Sequence, residues 1–380
     1  MVSCLLCTGE TRFVLDLGET PLANELPEST GGRIDRFPLR LVRCGKCGHL
    51  QIDHHVSPER LFGGDYTYLS NTSQANRDHF AAYAKQLIER FSPSFVVDIG
   101  GNDGLFASHF PKALVVDPAG SIPCAVPRWP TFFDEKVGAG IAREHGKADL
   151  ITCNNCLAHN ANLVPILRGV KALLADKGTF VFEVAYALPM LRGALFDLIY
   201  HEHIHHWTLT AAVPFLAAHG LDVFDAEQIP THGGSIRIYA RLPTKGARPK
   251  SETLPALLRE EAIELDDAVR RFPSLVEEER DVAHRVLGQT SGTLGMLGFP
   301  AKACTLWAYW GLSGYVLDVY DDNPNKVGKR THTGQLIRPT TEIAAQRPDH
   351  LLIASWNYAD ELMRRFPGNR FFIPHPFRSA

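Results

Sequence analysis

The hydrophobic positions of the chain follow different patterns in its successive parts. Over residues 1–70 the apolar runs are short and separated by turn-forming residues, as at 13–17 and 39–42. This stretch offers too little core to fold unaided. From Ser94 onward, short apolar or β-branched runs alternate with helical stretches, which is typical of a doubly wound α/β sheet. The pattern predicts strands near 94–99, 113–117, 149–153 and 178–184.

The end of this sheet has its own pattern. Two apolar runs, at 221–226 and 235–242, follow each other with no room for a crossover helix, so they are predicted to pair antiparallel. A segment containing Pro and Lys at 243–250 indicates a boundary near residue 245. The next stretch has one apolar face at helical spacing. It predicts a long amphipathic helix with Leu254, Leu258, Ala262, Leu265 and Val269 on that face.

A second series of strand-like and helical runs follows that helix and predicts a smaller Rossmann-like α/β domain. Its runs lie at 293–298, in a helix through Trp307, and at 315–320, 350–355 and 370–373. We therefore predict an α/β protein of three domains, with bounds 1–70, 71–245 and 246–380.

Composition narrows the classes of function. The 380 residues include 39 Lys and Arg against 42 Asp and Glu, a formal net charge of -3. The basic surplus of a nucleic-acid binder or an anionic-membrane binder is therefore missing. No stretch approaches the roughly 20 apolar residues that span a bilayer, and no signal-peptide pattern opens the chain. A cytoplasmic protein that acts on a small molecule is the expectation.

Four of the eight cysteines have the spacing of metal ligands. Cys4 and Cys7 form one C-x-x-C pair, and Cys44 and Cys47 form another. Four thiolates fill the tetrahedral shell of zinc and leave no open position for a substrate. The prediction is a structural zinc site; four free thiols in an ordinary core are the alternative. A third C-x-x-C pair, at 153–156, lacks a second pair or histidine motif, so redox or metal chemistry is not expected there.

The segment FVVDIGGNDGLF has the pattern of an apolar strand, a glycine-rich turn and the start of a helix. Its glycines would let a ligand approach the backbone. They lack the G-x-G-x-x-G spacing, however, and Asp98 and Asp103 would repel a pyrophosphate. A cationic ligand such as S-adenosylmethionine fits better, with Asp117 accepting hydrogen bonds from its ribose. A plain strand-to-helix turn is the alternative. The predicted cofactor-binding residues are Asp98, Gly100, Asn102, Asp103, Gly104, Asp117, Asn154 and Asn155.

The segment IYHEHIHHWTL concentrates titratable side chains. His201 and His205 would share one face of a helix, but the H-E-x-x-H arrangement of zincins is missing because Glu202 is followed by His203. A second interpretation is acid/base chemistry, in which an imidazole removes a proton beside a carbonyl and a carboxylate orients it. A third is that the histidines lie on the surface. The segment alone leaves all three open.

The chain resembles the sugar-nucleotide C-methyltransferases, which make branched deoxysugars from dTDP-linked 4-keto sugars. The resemblance covers nearly the whole chain, through the cysteine pairs and the segments LDLGETPLANEL, FPLRLVRCGKCGHLQ, DYTYLSNTS, DIGGNDG, CNNCLAH, YHEH and THGGSIR. GFPAK and DDNPNKVG give a weaker match toward the C-terminus. The resemblance implies a zinc-binding domain, a class I S-adenosylmethionine methyltransferase core and a Rossmann-like C-terminal domain.

The resemblance also implies roles for individual residues. His203 is similar to the family's general base and Glu202 to its partner. His159, Tyr200 and Tyr68 correspond to residues that hold the sugar and its developing oxyanion. The implied reaction methylates the carbon beside the ketone, by enolisation and attack on the methyl group of S-adenosylmethionine. The implied nucleotide is dTDP, and the protein is expected to be a monomer or a small homo-oligomer.

Two departures from the family pattern stand out. This chain has His205, His206 and Trp207 where the family continues YHEH with an aromatic-rich turn containing Tyr, so a different sugar or nucleotide is expected. Asp117 stands where many relatives have Glu and keeps the ribose-binding chemistry. O- or N-methylation of a nucleotide sugar is one alternative function, and a non-catalytic zinc-bearing binding protein is another. The intact YHEH and DIGGNDG argue against the second.

Overall fold

The computed structural model describes residues 2–28, 34–62, 69–72, 74–120, 122–243 and 251–380. Tyr68 and nearly all of the boundary segment at 243–250 lie outside these residues. The strands are β1 (Thr11–Pro21), β2 (Arg36–Cys44), β3 (Leu50–Ile52), β4 (Val96–Ile99), β5 (Ala113–Val116), β6 (Arg128–Trp129), β7 (Ala148–Asn154), β8 (Leu174–Ala185), β9 (His205–His206), β10 (Asp222–Ile229), β11 (Ser235–Arg241), β12 (Leu294–Leu297), β13 (Val316–Asp321), β14 (Ile337–Pro339), β15 (His350–Ile353), β16 (Arg370–Ile373) and β17 (Arg378–Ser379). The α-helices are α1 (Pro58–Phe62), α2 (Gln74–Phe91), α3 (Glu135–His145), α4 (Val164–Leu173), α5 (Ala187–Arg192), α6 (Leu209–Ala218), α7 (Thr253–Gln289), α8 (Ala301–Trp310), α9 (Ile343–Gln346) and α10 (Ala359–Arg365).

Seven strands form the central sheet in the order β10-β11-β8-β7-β4-β5-β6. Strands β4 to β8 are parallel, and β11 runs antiparallel between β8 and β10. All four residues of β4 are buried, as the apolar middle strand of a parallel sheet requires. The predicted core strands and the antiparallel pair at the end of the sheet are confirmed. The carboxyl ends of β4, β5 and β7 meet at one edge, where α/β sheets bind ligands.

The predicted helix after the glycine-rich turn is wrong. Between β4 and β5 the described chain has only a 3-10 turn, Ala107–His109. Pro111 gives the reason, because a residue that precedes proline is pushed out of the α-helical region. Phe110 accordingly has extended angles, φ -105° and ψ 140°, and the chain enters β5 two residues after Pro111.

The N-terminal sheet is antiparallel and has the order β1-β2-β3-β9. Its last strand, β9, comes from the histidine segment about 150 residues further along the chain, where Leu50 of β3 pairs with His206. Leu39, Leu41 and Ile52 belong to the same buried apolar cluster as residues of the central sheet. The N-terminal sheet and the central sheet are therefore joined through one strand and one hydrophobic core.

The C-terminal sheet has the order β14-β13-β12-β15-β16-β17, all parallel except β17, which confirms the second α/β series. The long helix α7 is also confirmed, but its buried face differs from the prediction: Ala262 is exposed, and Glu261 is buried. Glu261 turns inward because its carboxylate accepts the backbone N–H groups of Leu209 and Thr210, at 2.6 and 2.7 Å, where α6 begins. No helix in the described ranges is long and apolar enough to cross a membrane.

Buried charges fasten the C-terminal sheet and α7 to the core. His375 Nε2 lies 3.1 Å from Asp197 Oδ1, and His375 Nδ1 lies 2.8 Å from Glu279 Oε2 of α7. The indole N–H of Trp356 donates to Asp197 Oδ2 at 2.6 Å. Burial alone would lower the pKa of His375, but the charges of Asp197 and Glu279 raise it to about 9. The charge of His375 in turn lowers the pKa of Asp197, against the opposing effect of burial and with a further contribution from Lys302.

We expect His375→Gln to lower the free energy of unfolding at pH 7 by about 3–5 kcal/mol, because it leaves two buried carboxylates without their positive partner. The folded-state pKa of His375, about 9, lies above the usual histidine value of about 6.5. Its stabilisation is therefore complete below pH 6.5 and is lost as the pH rises through 9. Urea unfolding followed by tryptophan fluorescence at several pH values measures both effects.

The matched control is Arg270→Gln. Arg270 donates to Asp267 at 2.6 Å, but both side chains are more than half exposed, so this change should stay within about 1 kcal/mol. A wild-type stability that does not fall between pH 6.5 and 9.5, or equal losses in the two variants, would contradict the role of the buried pair.

Candidate active site

Four thiols converge beside the N-terminal sheet. The Sγ atoms of Cys4, Cys7, Cys44 and Cys47 all lie within 4.8 Å of one another. Cys4 and Cys47 are 3.6 Å apart, and Cys7 and Cys44 are 3.5 Å apart. Thiolates at 2.3 Å from a tetrahedral ion are separated by about 3.8 Å, so this spacing fits zinc. In the described part of the chain no other group of His, Cys, Asp or Glu has such geometry, so a second metal in the histidine segment has no support.

The backbone around these cysteines leaves room for the cluster. The N–H groups of Lys46 and Cys47 donate to Cys44 Sγ at 3.3 and 3.4 Å, which suits a thiolate acceptor. Gly48, with φ +75°, donates its N–H to the Cys44 carbonyl and closes the turn. A Cβ at Gly9 would lie 3.1 Å from Cys44 Sγ, so a larger residue there would crowd the sulfur. With four sulfur ligands the ion has a structural role.

A cavity of about 730 Å³ lies at the carboxyl ends of β4, β5 and β7. All three parts of the chain contribute to its wall: Asn24 comes from the N-terminal part, Asp117 and His203 from the core, and Lys302 and Lys326 from the C-terminal part. A space of this size and position can hold two ligands next to each other. The predicted site residues are therefore placed relative to this cavity.

Two of the predicted cofactor-binding acids face away from the cavity. Asp98 is buried behind the turn, where it accepts a hydrogen bond from Thr152 Oγ1 at 2.6 Å, and burial raises its pKa to about 7. Asp103 accepts the N–H groups of Asn71 and Leu105 at 2.9 and 3.1 Å. Neither residue is part of the cavity wall. The structure thus gives both carboxylates a role in holding the turn, which differs from the expected direct contact with the cofactor.

The glycines of this turn are required by its own packing. Gly100 has φ +70°, and a Cβ there would lie 2.6 Å from Cys156 Sγ. Gly104 has φ +75°, and its Cβ would lie 2.8 Å from Cys124 Sγ. Gly100 lines the cavity, whereas Gly104 does not. The segments DIGGNDG and CNNC are therefore in direct contact, which spacing alone did not reveal.

Asp117 follows β5 and lines the cavity. Its two carboxylate oxygens accept the backbone N–H groups of Asn102 and Ala119 at 2.9 and 2.8 Å. Each oxygen keeps a further lone pair for a ligand hydroxyl. The side chain of Asn102 is engaged within the protein, since its Oδ1 accepts the N–H of Ser70 at 3.1 Å.

Asn154 ends β7, Asn155 follows it, and both line the cavity. Both polar side-chain atoms of Asn154 are buried and have no hydrogen-bond partner among the described residues. An unpaired buried amide costs roughly 1–3 kcal/mol, so a polar ligand is expected beside it. This unsatisfied amide, in the same cavity as Asp117, fits a cofactor that carries hydroxyls and a polar base.

His203 is the histidine of IYHEHIHHWTL that faces the cavity. Its Nδ1 lies 2.9 Å from the Leu198 carbonyl and its Nε2 lies 2.6 Å from the Tyr200 hydroxyl. A carbonyl can only accept, so Nδ1 carries the proton and Nε2 keeps its lone pair. Burial, reinforced by His159 and His206, holds the pKa of His203 well below its usual range. The imidazole is therefore neutral at pH 7, with Nε2 as its acceptor nitrogen.

His159 and Tyr200 lie beside His203. The rings of His159 and His203 stack with centroids 5.5 Å apart, and Phe62 covers the other side of His159 at 5.5 Å. Burial lowers the pKa of His159 to about 4. Tyr200, His159 and His203 all line the cavity, as does Glu202, so four of the five predicted catalytic residues lie in its wall; Tyr68 lies outside the described residues.

Glu202 lines the cavity but is not the partner of His203. Its carboxylate accepts both bonds from the amide of Asn24, at 2.8 and 3.1 Å, and burial raises its pKa to about 7. The Nδ1 atom of His203, which the expected carboxylate would hold, is held by the Leu198 carbonyl instead. Successive residues of this irregular segment point in different directions, so the predicted pairing of neighbours is wrong.

The other histidines of the segment are buried, which excludes the surface interpretation. His201 lies 3.3 Å from the Pro38 carbonyl, and His205 contacts His49 and Asn160. None of His201, His205 and His206 belongs to the cavity wall, nor does Trp207. The expected change of sugar or nucleotide caused by 205–207 therefore has no support in the cavity lining.

Several cavity residues escaped the sequence analysis. His232 of THGGSIR has φ +53° and ψ 29°, and Lys302 and Lys326 belong to GFPAK and DDNPNKVG. These segments carried the resemblance, but nothing in their spacing indicated a site. Lys302 donates to Asn357 Oδ1 at 2.6 Å, and Lys326 donates to the Phe299 carbonyl at 2.8 Å. Burial lowers the pKa of Lys302 to about 8, so it remains mostly charged at pH 7.

Comparison with known families assigns most of the chain. Residues 4–62 match a zinc binding domain family, residues 72–226 a methyltransferase domain family, and residues 230–376 the C-methyltransferase C-terminal domain family. C-methyltransferase NovU of Streptomyces niveus is 31% identical over 98% of this chain and 95% of its own length. The chain belongs to the C-methyltransferase family. This C-methyltransferase uses S-adenosylmethionine and has the class I fold, and its four cysteines form the zinc-binding cluster.

Solved structures also resemble the C-methyltransferase. N-methyltransferase NodS from Bradyrhizobium japonicum WM9 is 14% identical with a TM-score of 0.34, covering 46% of this chain and 100% of its own. Glycopeptide N-methyltransferase MtfA, solved with S-adenosylmethionine, is 11% identical with a TM-score of 0.33 and covers 43% of this chain and 94% of its own.

Proposed function

We propose that this C-methyltransferase methylates the carbon next to the ketone of a nucleotide-linked keto-deoxysugar, with dTDP as the nucleotide and His203 as the general base. The observation that carries the proposal is the state of His203. Its Nδ1 carries the proton, so its Nε2 is unprotonated, and the residue lines a cavity that the glycine-rich turn and the C-terminal lysines also line. Removing a carbon-bound proton requires such a neutral, positioned base.

The neighbours of His203 suit the second requirement, which is to stabilise an enolate oxygen. In the absence of substrate the Tyr200 hydroxyl donates to His203 Nε2. For Nε2 to take the substrate proton, this hydroxyl must first turn away from it, and the hydroxyl is then free to donate to the enolate oxygen. His159, stacked on His203, offers a second donor. Donors aimed at the developing charge are usually a large part of catalysis.

The cofactor residues proposed from the fold are Asp117, Asn154, Asn155, Gly100 and the backbone of Asn102. S-adenosylmethionine, when bound, supplies an electrophilic methyl group. The protein's contribution is to place the enolate carbon and that methyl group together. Because both groups are then held in one cavity, their reaction no longer depends on a bimolecular encounter in solution. Asp98 and Asp103 support this site by holding the turn.

The C-terminal part of the cavity suits the nucleotide diphosphate, and we propose the C-terminal sheet as the substrate-binding part. Lys302 and Lys326 are both 7% exposed and face the cavity. An ammonium group has three donors, and each lysine uses one of them in a hydrogen bond identified above. Anionic phosphate oxygens would accept hydrogen bonds from the remaining N–H donors of these two buried ammonium groups.

Mass spectrometry with methyl-labelled S-adenosylmethionine and a panel of nucleotide keto sugars tests the proposal. The expected product carries the label on the carbon beside the ketone. A label on oxygen or nitrogen would overturn the proposed reaction, and transfer to sugars that lack the nucleotide would overturn the assigned substrate class.

Replacing Asp117 by asparagine should weaken S-adenosylmethionine binding by roughly 1–3 kcal/mol, or about 5- to 150-fold in Kd, because an amide has one acceptor oxygen in place of two. Calorimetry measures the affinity. Asp149→Asn is the matched control, since its carboxylate also accepts two backbone N–H groups, those of Ser94 and Phe95, but at the amino end of β4. Equal losses in both variants would show that Asp117 acts only through the fold.

A further inference from the structure

A pair of buried histidines connects the zinc cluster to the cavity. His49 follows Cys47 and Gly48 directly, and His205 lies in β9. Their side chains are 0% and 1% exposed. His49 Nε2 and His205 Nδ1 are 2.8 Å apart, and the His49 carbonyl accepts the N–H of Cys44 at 2.8 Å. His49 is therefore held by the backbone turn that carries the zinc ligands Cys44 and Cys47, here named the zinc turn.

The direction of the hydrogen bonds follows from their last acceptor. His205 Nε2 lies 2.9 Å from the Asn160 carbonyl, so Nε2 carries the proton and Nδ1 is the acceptor. His49 Nε2 must then donate. One chain of donors thus runs from His49 through His205 to the Asn160 carbonyl, and both tautomers are fixed by it.

The middle and the far end of this chain each adjoin a proposed substrate-handling residue. Asn160 is next to His159, and His205 is two residues from His203. The backbone adds a second connection, since the N–H of Ile204 donates to the Ala158 carbonyl at 2.8 Å. His159 lies in a 3-10 turn, and His203 lies in an irregular segment. Neither segment has the regular hydrogen bonding that would fix its position alone.

We propose that His205, held by His49, is a positioning residue that sets the place of His159 and His203 and so couples the zinc turn to the active site. The inference rests on the proposed function for the identity of the reaction, but the placement of the two imidazoles can be measured without it. Displacement of a catalytic group by about 1 Å can cost 10²-fold in rate. A role for the zinc turn beyond stability follows from the hydrogen-bonded chain.

The test compares His49→Leu with His49→Gln. Leucine removes the donor and leaves His205 Nδ1 as an unpaired buried acceptor, whereas glutamine can place an amide N–H where Nε2 stood. We expect His49→Leu to lower kcat roughly 10- to 100-fold, with KM, S-adenosylmethionine affinity and zinc content close to wild type. His49→Gln should recover most of the rate. In a His205→Gln background His49→Leu should add little, because the two residues act in series.

Imidazole nitrogen spectra of histidine-labelled protein supply the readout that is independent of activity, with signals assigned from single variants. His49→Leu should shift the His203 and His159 signals, and His49→Gln should restore them. Unmoved His203 signals in His49→Leu would overturn the coupling whatever the activity. Zinc loss in both variants would overturn it too, because His49 would then serve the zinc turn alone. Shifted signals in a protein that makes no C-methylated product would overturn the proposed reaction and leave the coupling standing.

Discussion

Replacing His203 by asparagine is expected to lower kcat for methyl transfer by roughly 10²–10⁴-fold while both ligands still bind. His203 Nε2 is the proposed proton acceptor, since Nδ1 is engaged with the Leu198 carbonyl. Asparagine can keep a donor near that carbonyl but has no basic nitrogen. Rates with labelled cofactor measure the loss, and calorimetry with each ligand separates it from binding.

The matched control is His201→Asn, in the same segment. His201 is buried against the Pro38 carbonyl and does not line the cavity, so its replacement should leave kcat near the wild-type value once the folded fraction is accounted for. Equal loss in both variants would show that the segment's packing, and not a base at 203, is what the reaction needs.

Proton exchange tests the order of steps. With a cofactor analogue that cannot give up a methyl group, the wild-type protein should exchange the substrate hydrogen beside the ketone for deuterium from solvent, and His203→Asn should not. Exchange that persists in the variant would assign the base to Glu202 or His159. Because the pKa of His203 is held well below its usual range, the base should stay unprotonated and active down to pH 6.5 and below.

The sequence predicts the parts of the fold that depend on local patterns of residues. β4, β5 and β7 are short apolar runs bounded by turn residues, and their burial on both faces is what such runs require. The zinc cluster depends on two C-x-x-C pairs, and the spacing within each pair fits one turn of backbone. In contrast, β9 is only two residues long and consists of histidines. It has no periodicity, and its place beside β3 depends on how the whole core packs.

In the active site, too, local patterns predict the positions of residues, and contacts between distant segments do not show in the sequence. The positions of Asp117 and His203 follow from a strand end and a motif, whereas the direction of each side chain depends on contacts from distant segments. Glu202 turns to Asn24, which is 178 residues away. The ammonium nitrogen of buried Lys302 lies 3.5 Å from the ring centre of Trp356, a contact with another segment. Such pairings have no spacing in the sequence, so the sequence analysis could not predict them.

Cys44→Ser should cause the largest loss of stability, because it removes one of four thiolates from the zinc cluster. Structural zinc supplies on the order of 10–16 kcal/mol in zinc-finger peptides, and the N-terminal sheet has little core of its own beyond what it shares. Wild-type protein should hold close to one zinc per chain by elemental analysis, and the variant close to none. Cys124→Ser is the matched control, since Cys124 is a partly buried free thiol outside the cluster.

Loss of the zinc should also abolish methyl transfer, because β9 pairs with β3 and carries the segment that holds His203. A chelator added to wild-type protein should therefore reduce the melting temperature and the rate together, and added zinc should restore both. The thermal melt of Cys44→Ser should begin in the N-terminal sheet, where hydrogen exchange at Leu41 and Leu50 would rise first. Protein without zinc that melts and turns over like wild type would contradict a structural role for the four cysteines.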